Sequence, residues 1–129
     1  MTLGRLDFVY CPSADAAADR DHWTERLGAT AVFAVERFDT RVTCVQPGEG
    51  PAVLFAEHLD GDRPVLLYRV DDLTETIEAL RERGVVVGAT FEFPFGEGVE
   101  VTEAGSQRVA IYERSRADRG DSLRGRRDF

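Results

Sequence analysis

Residues 65–84 read VLLYRVDDLTETIEALRERG, and this stretch decides the fold. Val65-Leu66-Leu67-Tyr68-Arg69-Val70 is rich in branched and aromatic residues, which favour a half-buried strand. Asp72-Leu73-Thr74-Glu75 has the form of a capping box with Asp at its head, a short side chain that accepts a free N–H of the first helical turn. Leu73, Ile77 and Leu80 recur at i, i+4 and i+7, one face of a helix that ends near Arg83. Gly84 supplies the left-handed residue just past that end. Three strand candidates follow, Val85–Thr90, Val99–Thr102 and Arg108–Glu113. Phe93-Pro94-Phe95-Gly96-Glu97-Gly98 forms the loop between the first two, and Ala104-Gly105-Ser106 turns into the last.

The same order occurs once before. Leu6–Cys11 is a strand ended by Pro12, and Ser13 and Asp15 are N-cap types. Ala16–Leu27 reads as a helix with Ala16, Arg20, Trp23 and Leu27 on one face, and Gly28 ends it. Strands Thr30–Val35, Arg41–Gln46 and Ala52–His58 are separated by turns at Phe38-Asp39-Thr40 and Pro47–Pro51, and Asp60-Gly61-Asp62 closes the half. Asp15 and Asp72 lie 57 positions apart, Gly28 and Gly84 56 apart. The repeat is one of structure rather than identity. The expectation is an α+β domain over residues 1–113, built from two tandem β-α-β-β-β units at about 5–59 and 63–113, with an Arg-rich tail over 114–129.

Composition bounds the function classes. The 129 residues are 43% hydrophobic and 31% charged, a globular mixture for one domain. No apolar run approaches a membrane span. The chain opens on a strand-like segment without a visible signal peptide, so the cytoplasm is the expected compartment. A net charge of −8 disfavours nucleic acid and anionic membranes as partners. Residues 1–113 hold ten Arg and 21 acids, whereas residues 114–129 hold six Arg and three Asp. That tail has too few apolar residues to fold alone. It either lies on the acidic body, with Leu123 or Phe129 as an anchor, or frays into solvent. Cys11 and Cys44 sit inside strands without C-x-x-C spacing, as small buried thiols do.

Several segments resemble the vicinal oxygen chelate superfamily, the glyoxalase, bleomycin-resistance and extradiol-dioxygenase group. They are Ser13-Ala14-Asp15 through His22-Trp23-Thr24-Glu25-Arg26-Leu27-Gly28, Tyr68-Arg69-Val70-Asp71-Asp72-Leu73, and Ala79-Leu80-Arg81-Glu82-Arg83-Gly84-Val85. Pro94-Phe95-Gly96 and Ile111-Tyr112-Glu113 are similar to the family's loop and closing strand. The resemblance implies that the two units form a curved mixed sheet around a cup-shaped cavity, usually in a homodimer, with units pairing within one chain or between chains. It also implies four metal positions. Here they align with Phe8, with Glu57 (or Phe55 if the register slips by two), with Val65 and with Ala110. A divalent ion needs three or four convergent N or O donors, and Phe8, Val65 and Ala110 offer none. The expectation is therefore no metal and no other cofactor. His22 reads as a helix-surface residue, and His58, opposite in parity to Glu57, is expected to point away from the cup.

If Phe8 faces the cup, strand alternation brings Leu6 and Tyr10 with it. The same rule groups Val53, Phe55 and Glu57, then Val65, Leu67 and Arg69, then Arg108, Ala110 and Tyr112. The result is an apolar and aromatic cavity with Tyr10, Glu57, Arg69, Arg108 and Tyr112 as polar anchors, the usual make-up of a small-molecule pocket. The competing reading is a closed core in which Glu57 pairs with Arg69 or Arg108. Phe93 and Phe95 either form a lip over the pocket or pack on a dimer partner.

The favoured function is a metal-free small-molecule-binding protein that sequesters a hydrophobic compound, or a cationic one given the acidic body, such as an antibiotic. The alternatives are a metal-free enzyme with Glu57 as general base, a metal-dependent lyase, isomerase or dioxygenase, and a ligand-free interaction module. The sequence names no ligand.

Overall fold

In a computed structural model, residues 3–93, 95–101, 105–114 and 123–129 are described. The elements run β1 (Arg5–Pro12), α1 (Ala16–Arg26), β2 (Thr30–Arg37), β3 (Thr40–Gln46), β4 (Ala52–Ala56), β5 (Val65–Val70), α2 (Leu73–Glu82), β6 (Val87–Phe93), β7 (Gly96–Val101) and β8 (Arg108–Glu113). This is the expected β-α-β-β-β order, twice. The second-unit loop is shorter than the sequence suggested. β6 runs on to Phe93 and β7 starts at Gly96, which pair directly across the turn. The expected strand end at Thr102 lies outside the described residues.

Both helices begin as their sequences dictate. Asp15 accepts from the Ala18 N–H and Asp72 from the Glu75 N–H, each at 3.0 Å. The residue after β4 and the last residue of β8 each add a second cap. Glu57 accepts from the Ala16 N–H at 2.9 Å, and Glu113 accepts from the Leu73 N–H at 3.2 Å. Each glutamate places negative charge at the positive end of a helix dipole. Gly28 and Gly84 end the helices with φ of 75° and 80°. Leu27 departs from expectation. The helix stops at Arg26, and Leu27, as the cap residue, is 57% exposed.

The eight strands form one mixed sheet in the order β2-β3-β4-β1-β5-β8-β7-β6. Within each unit the first strand lies parallel to the last, β1 with β4 and β5 with β8. The two first strands meet antiparallel at the centre, so the units pair within this chain. The sheet curls into a half-barrel. Its convex face is covered by the helices: Trp23 packs edge-on to Phe55 beneath α1, and Leu73, Ile77 and Leu80 pack on Val99, Val109 and Ile111 beneath α2. The concave face carries Phe8, Tyr10, Phe33, Cys44, Leu54, Leu67 and Tyr112. Gly98 has a packing reason. A Cβ there would meet the Phe91 ring at 2.8 Å and the Ile111 carbonyl at 2.9 Å, so the glycine lets Phe91 lie across the neighbouring strand. No described helix is long and apolar enough to cross a membrane.

Residues 123–129 are docked on the body rather than frayed. The Gly125 N–H donates to the Val32 carbonyl at 2.7 Å, the Ala34 N–H to Arg126 at 2.8 Å, and the Asp128 N–H to Ala34 at 2.8 Å. This strap therefore extends the sheet past β2 and covers part of an otherwise open edge. Leu123 packs on the concave cluster and Phe129 on the cluster under α1. The guanidinium carbons of Arg41 and Arg20 lie 3.9 and 5.5 Å from the Phe129 ring centre, within cation–π range.

The β2–β3 turn carries strain. Phe38 and Asp39 have φ of 53° and 59°, the left-handed pair of a type I′ hairpin, which Asn-Gly suits best. Phe38 is 96% exposed, so burial offsets none of the cost. Replacing Phe38→Asn together with Asp39→Gly is expected to raise unfolding stability by about 1 kcal/mol in urea titration. An unchanged or lower midpoint would contradict this reading of the turn.

Candidate functional site

The floor of the cup follows from pairing register. In-register partners on neighbouring strands share a face, so Phe8 and Tyr10 bring Ala52 and Leu54 of β4 with them. Val65, Leu67, Ala110 and Tyr112 join from β5 and β8, as expected, and Phe33 and Cys44 from β2 and β3. β4 is inverted relative to the sequence reading. Ala52, Leu54 and Ala56 face the cup, whereas Val53 and Phe55 lie under α1. Every residue of β4 is buried, so its sequence carries no inside–outside alternation to read.

That inversion moves two residues. Glu57 leaves the cup and caps α1, as described above. His58, still exposed, takes the Tyr10 side: its Nε2 lies 3.2 Å from the Tyr10 hydroxyl and its Nδ1 3.2 Å from the Thr40 hydroxyl. Arg108 also departs from its expected role. Its guanidinium donates to the carbonyls of Asp60 and Arg63 at 2.8 and 3.0 Å and pairs with Asp60 and Glu100. It pins the connection between units. His22 is exposed on α1.

The aromatic residues of the β6–β7 turn fold into the cup. Phe95 stacks on Phe8 with centres 4.9 Å apart and planes at 29°, and Phe93 meets Tyr112 edge-on at 4.7 Å. Phe93 is 5% exposed. These rings fill the second-unit side of the cup; Pro94 lies outside the described residues.

A cavity of about 580 Å³ remains at one end, within the range of small-molecule sites. Its wall combines Phe8, Phe95, Ala31, Val32, Cys44 and Ala52 with Gln46, Thr30, Asp7, Tyr112, Arg5, Arg69, Arg114 and Arg124. Asp7 reaches it through an irregularity. The β1–β5 register shifts between Leu6 and Phe8, and this bulge puts Asp7 on the pocket wall where strict alternation expected Leu6. Asp7 then gathers three partners. The Tyr112 hydroxyl donates to its carboxylate, and Arg69 Nε and Arg5 Nε lie 3.4 and 3.3 Å from its two oxygens.

Of the expected site residues, Phe8, Arg69, Phe95 and Tyr112 line this cavity. Val65, Leu67, Phe93 and Ala110 belong to the packed floor, and Tyr10 bonds His58. Arg5, Asp7, Arg114, Arg124, Cys44 and Gln46 were not anticipated. The sequence shows no bulge at Asp7, and only the Arg-rich composition of the tail hints that it supplies cations.

Burial tunes both phenols. It raises the Tyr10 pKa to about 12. It also raises that of Tyr112, with further contributions from the hydrogen bond to Asp7 and the charge of Asp7. Both are neutral donors near neutral pH. Burial likewise pushes the Cys44 thiol up to about 12, so it lines the wall as a thiol rather than a thiolate nucleophile.

The donor set does not fit the divalent ion implied by the family resemblance. Phe8, Val65 and Ala110 present hydrocarbon to the cup and Glu57 faces α1. Among the described residues no three His, Cys, Asp or Glu side chains converge.

Raised phenol pKa values fix an alkaline signature. Below pH about 10 the phenols are protonated in folded and unfolded chains alike. Above that the unfolded chain loses protons first, so stability should fall as pH rises from about 10 towards the Tyr10 value of about 12. Urea midpoints against pH should show this fall, and Tyr10→Phe should make it shallower. A pH dependence identical in the variant would contradict the assignment.

No protein-family model matches the sequence, and no curated protein matches it. Solved structures do. A methylmalonyl-CoA epimerase from Mycobacterium tuberculosis superposes with a TM-score of 0.72 at 21% identity, over 84% of this chain and 87% of that one. A hypothetical protein from Bacillus halodurans C-125 gives 0.73 at 12% identity, over 84% and 93%. A Streptomyces coelicolor methylmalonyl-CoA epimerase in complex with 2-nitronate-propionyl-CoA gives 0.70 at 11% identity, over 88% and 99%. At these identities the likeness is one of fold.

Proposed function

From a cup of the vicinal oxygen chelate fold, with hydrocarbon at three of the four metal positions and the fourth, Glu57, turned to cap α1, we propose a metal-free small-molecule-binding protein. The observation that carries this reading is the cavity of about 580 Å³, floored by the stacked Phe8 and Phe95 rings and walled by hydrogen-bonding groups. A preformed apolar surface with a few fixed polar groups binds by burial and selects by hydrogen bonding. The ligand is sequestered rather than transformed, with an apolar body resting on the rings.

The general-base alternative loses its residue, because the Glu57 carboxylate caps α1. The epimerase likeness brings a fold and no catalytic residue with it. The protein is further proposed to act in the cytoplasm as a homodimer, which sedimentation equilibrium would test.

The neutral fluorophore N-phenyl-1-naphthylamine tests the binding reading. It should brighten saturably with a one-to-one stoichiometry, unaffected by EDTA. Thr30→Trp, at an exposed position on the cavity wall, should block it. Binding that survives this substitution unchanged, or that requires a divalent ion, would overturn the proposal.

A further inference from the structure

The charge of the cavity opposes the charge of the protein. The chain is acidic, with a net charge of −8, yet its cavity is walled by four arginines and one aspartate. Asp7 already serves Arg5 and Arg69. Its carboxylate is taken up by those two, and Arg124 adds a further positive charge to the wall.

The fourth arginine comes from the strap. Arg124 sits between Leu123, packed on the concave cluster, and Gly125, whose N–H bonds Val32 at 2.7 Å. These two anchors fix its backbone at the cavity, 55 residues beyond Arg69 in sequence. Among the described residues no ion pair reaches Arg124. Its charge is felt inside the cup, where it opposes the effect of burial on Cys44. An acidic protein that brings guanidinium groups to one aromatic-floored cavity has built a site for negative charge. Guanidinium forks match carboxylate, sulfonate or phosphate oxygens.

Building on the binding reading above, we infer that the ligand is an anion carried on a planar apolar body, and that the C-terminal strap is part of the site, with Arg124 as an anchoring cation. The planar body lies against Phe8 and Phe95, whose near-parallel rings present a flat surface. The anionic group faces Arg69 and Arg124. This reverses the cationic preference that the net charge suggested. Net charge sums the whole surface, whereas a ligand meets only the wall.

Two fluorophores that differ only in a sulfonate test the inference on the full chain. 8-Anilinonaphthalene-1-sulfonate and N-phenyl-1-naphthylamine share one ring skeleton, the second without the anion. The sulfonate should bind about tenfold tighter, and added salt should weaken it alone. Arg124→Gln, at an exposed position, should weaken the sulfonate several-fold and the neutral probe by a clearly smaller factor. Arg124→Lys should recover part of the loss. Equal affinities for the two probes, or an Arg124→Gln protein that binds the sulfonate as wild type does, would overturn the anion inference while leaving the binding reading intact. If neither probe saturates a single site blocked by Thr30→Trp, both fall.

Discussion

The seam between β1 and β5 is the constraint on which the rest of the molecule depends. It is the only strand pair that joins the two units in the described sheet. Its antiparallel register puts Phe8 beside Leu67 and Tyr10 beside Val65, and those pairs fix which face of every neighbouring strand looks into the cup. The single irregularity in the seam, at Asp7, then places one carboxylate where Tyr112, Arg69 and Arg5 converge. A carboxylate withdrawn this far from water needs such partners to offset its lost hydration. The bulge therefore links the fold to the site: it tethers β8 to β1 through Tyr112 and holds two guanidinium groups at the cavity mouth.

The repeat was legible because its signals are local. Asp15 and Asp72, Gly28 and Gly84, and the Leu73-Ile77-Leu80 face each depend on a few neighbouring residues, and all lie where the sequence put them. The cup-facing sets of β5 and β8 were also legible. β4 was not. Its five residues are buried on both faces, and Ala-Val-Leu-Phe-Ala reads equally well in either parity. A slip of one residue exchanges the two faces of a strand, which is why Glu57 and His58 changed places relative to expectation. The glutamate that seemed a candidate base is a helix cap, matched by Glu113 in the second unit. The site itself was harder still. Asp7 depends on a bulge and Arg124 on long-range docking, and neither leaves a periodic trace.

The overall composition and the cavity wall differ in charge for a related reason. Twenty-four acids against sixteen arginines describe a surface average. The cavity selects from that surface through topology: the starts of β1 and β4, the ends of β5 and β8, and the strap along β2 all deliver residues to one end of the cup. Arginine suits this placement, because its apolar stem packs on the wall while its head stays at the rim. The metal positions follow the same logic in reverse. With Phe8, Val65 and Ala110 on the floor, the fold offers the cavity hydrocarbon where a metal site needs donors, and polar groups gather at the rim instead.

The proposed ligand entry lies at the end of the cup walled by Phe8, Phe95, Arg69 and Arg124. Backbone ¹H–¹⁵N correlation spectra recorded while naphthalene-1-sulfonate is added address it most directly. Saturable shifts should concentrate at Phe8, Thr30–Val32, Cys44, Arg69 and Gly125, with the strap still docked. Shifts centred on Tyr10 and His58 at the opposite end, on the helices of the convex face, or spread evenly over exposed arginines would contradict it.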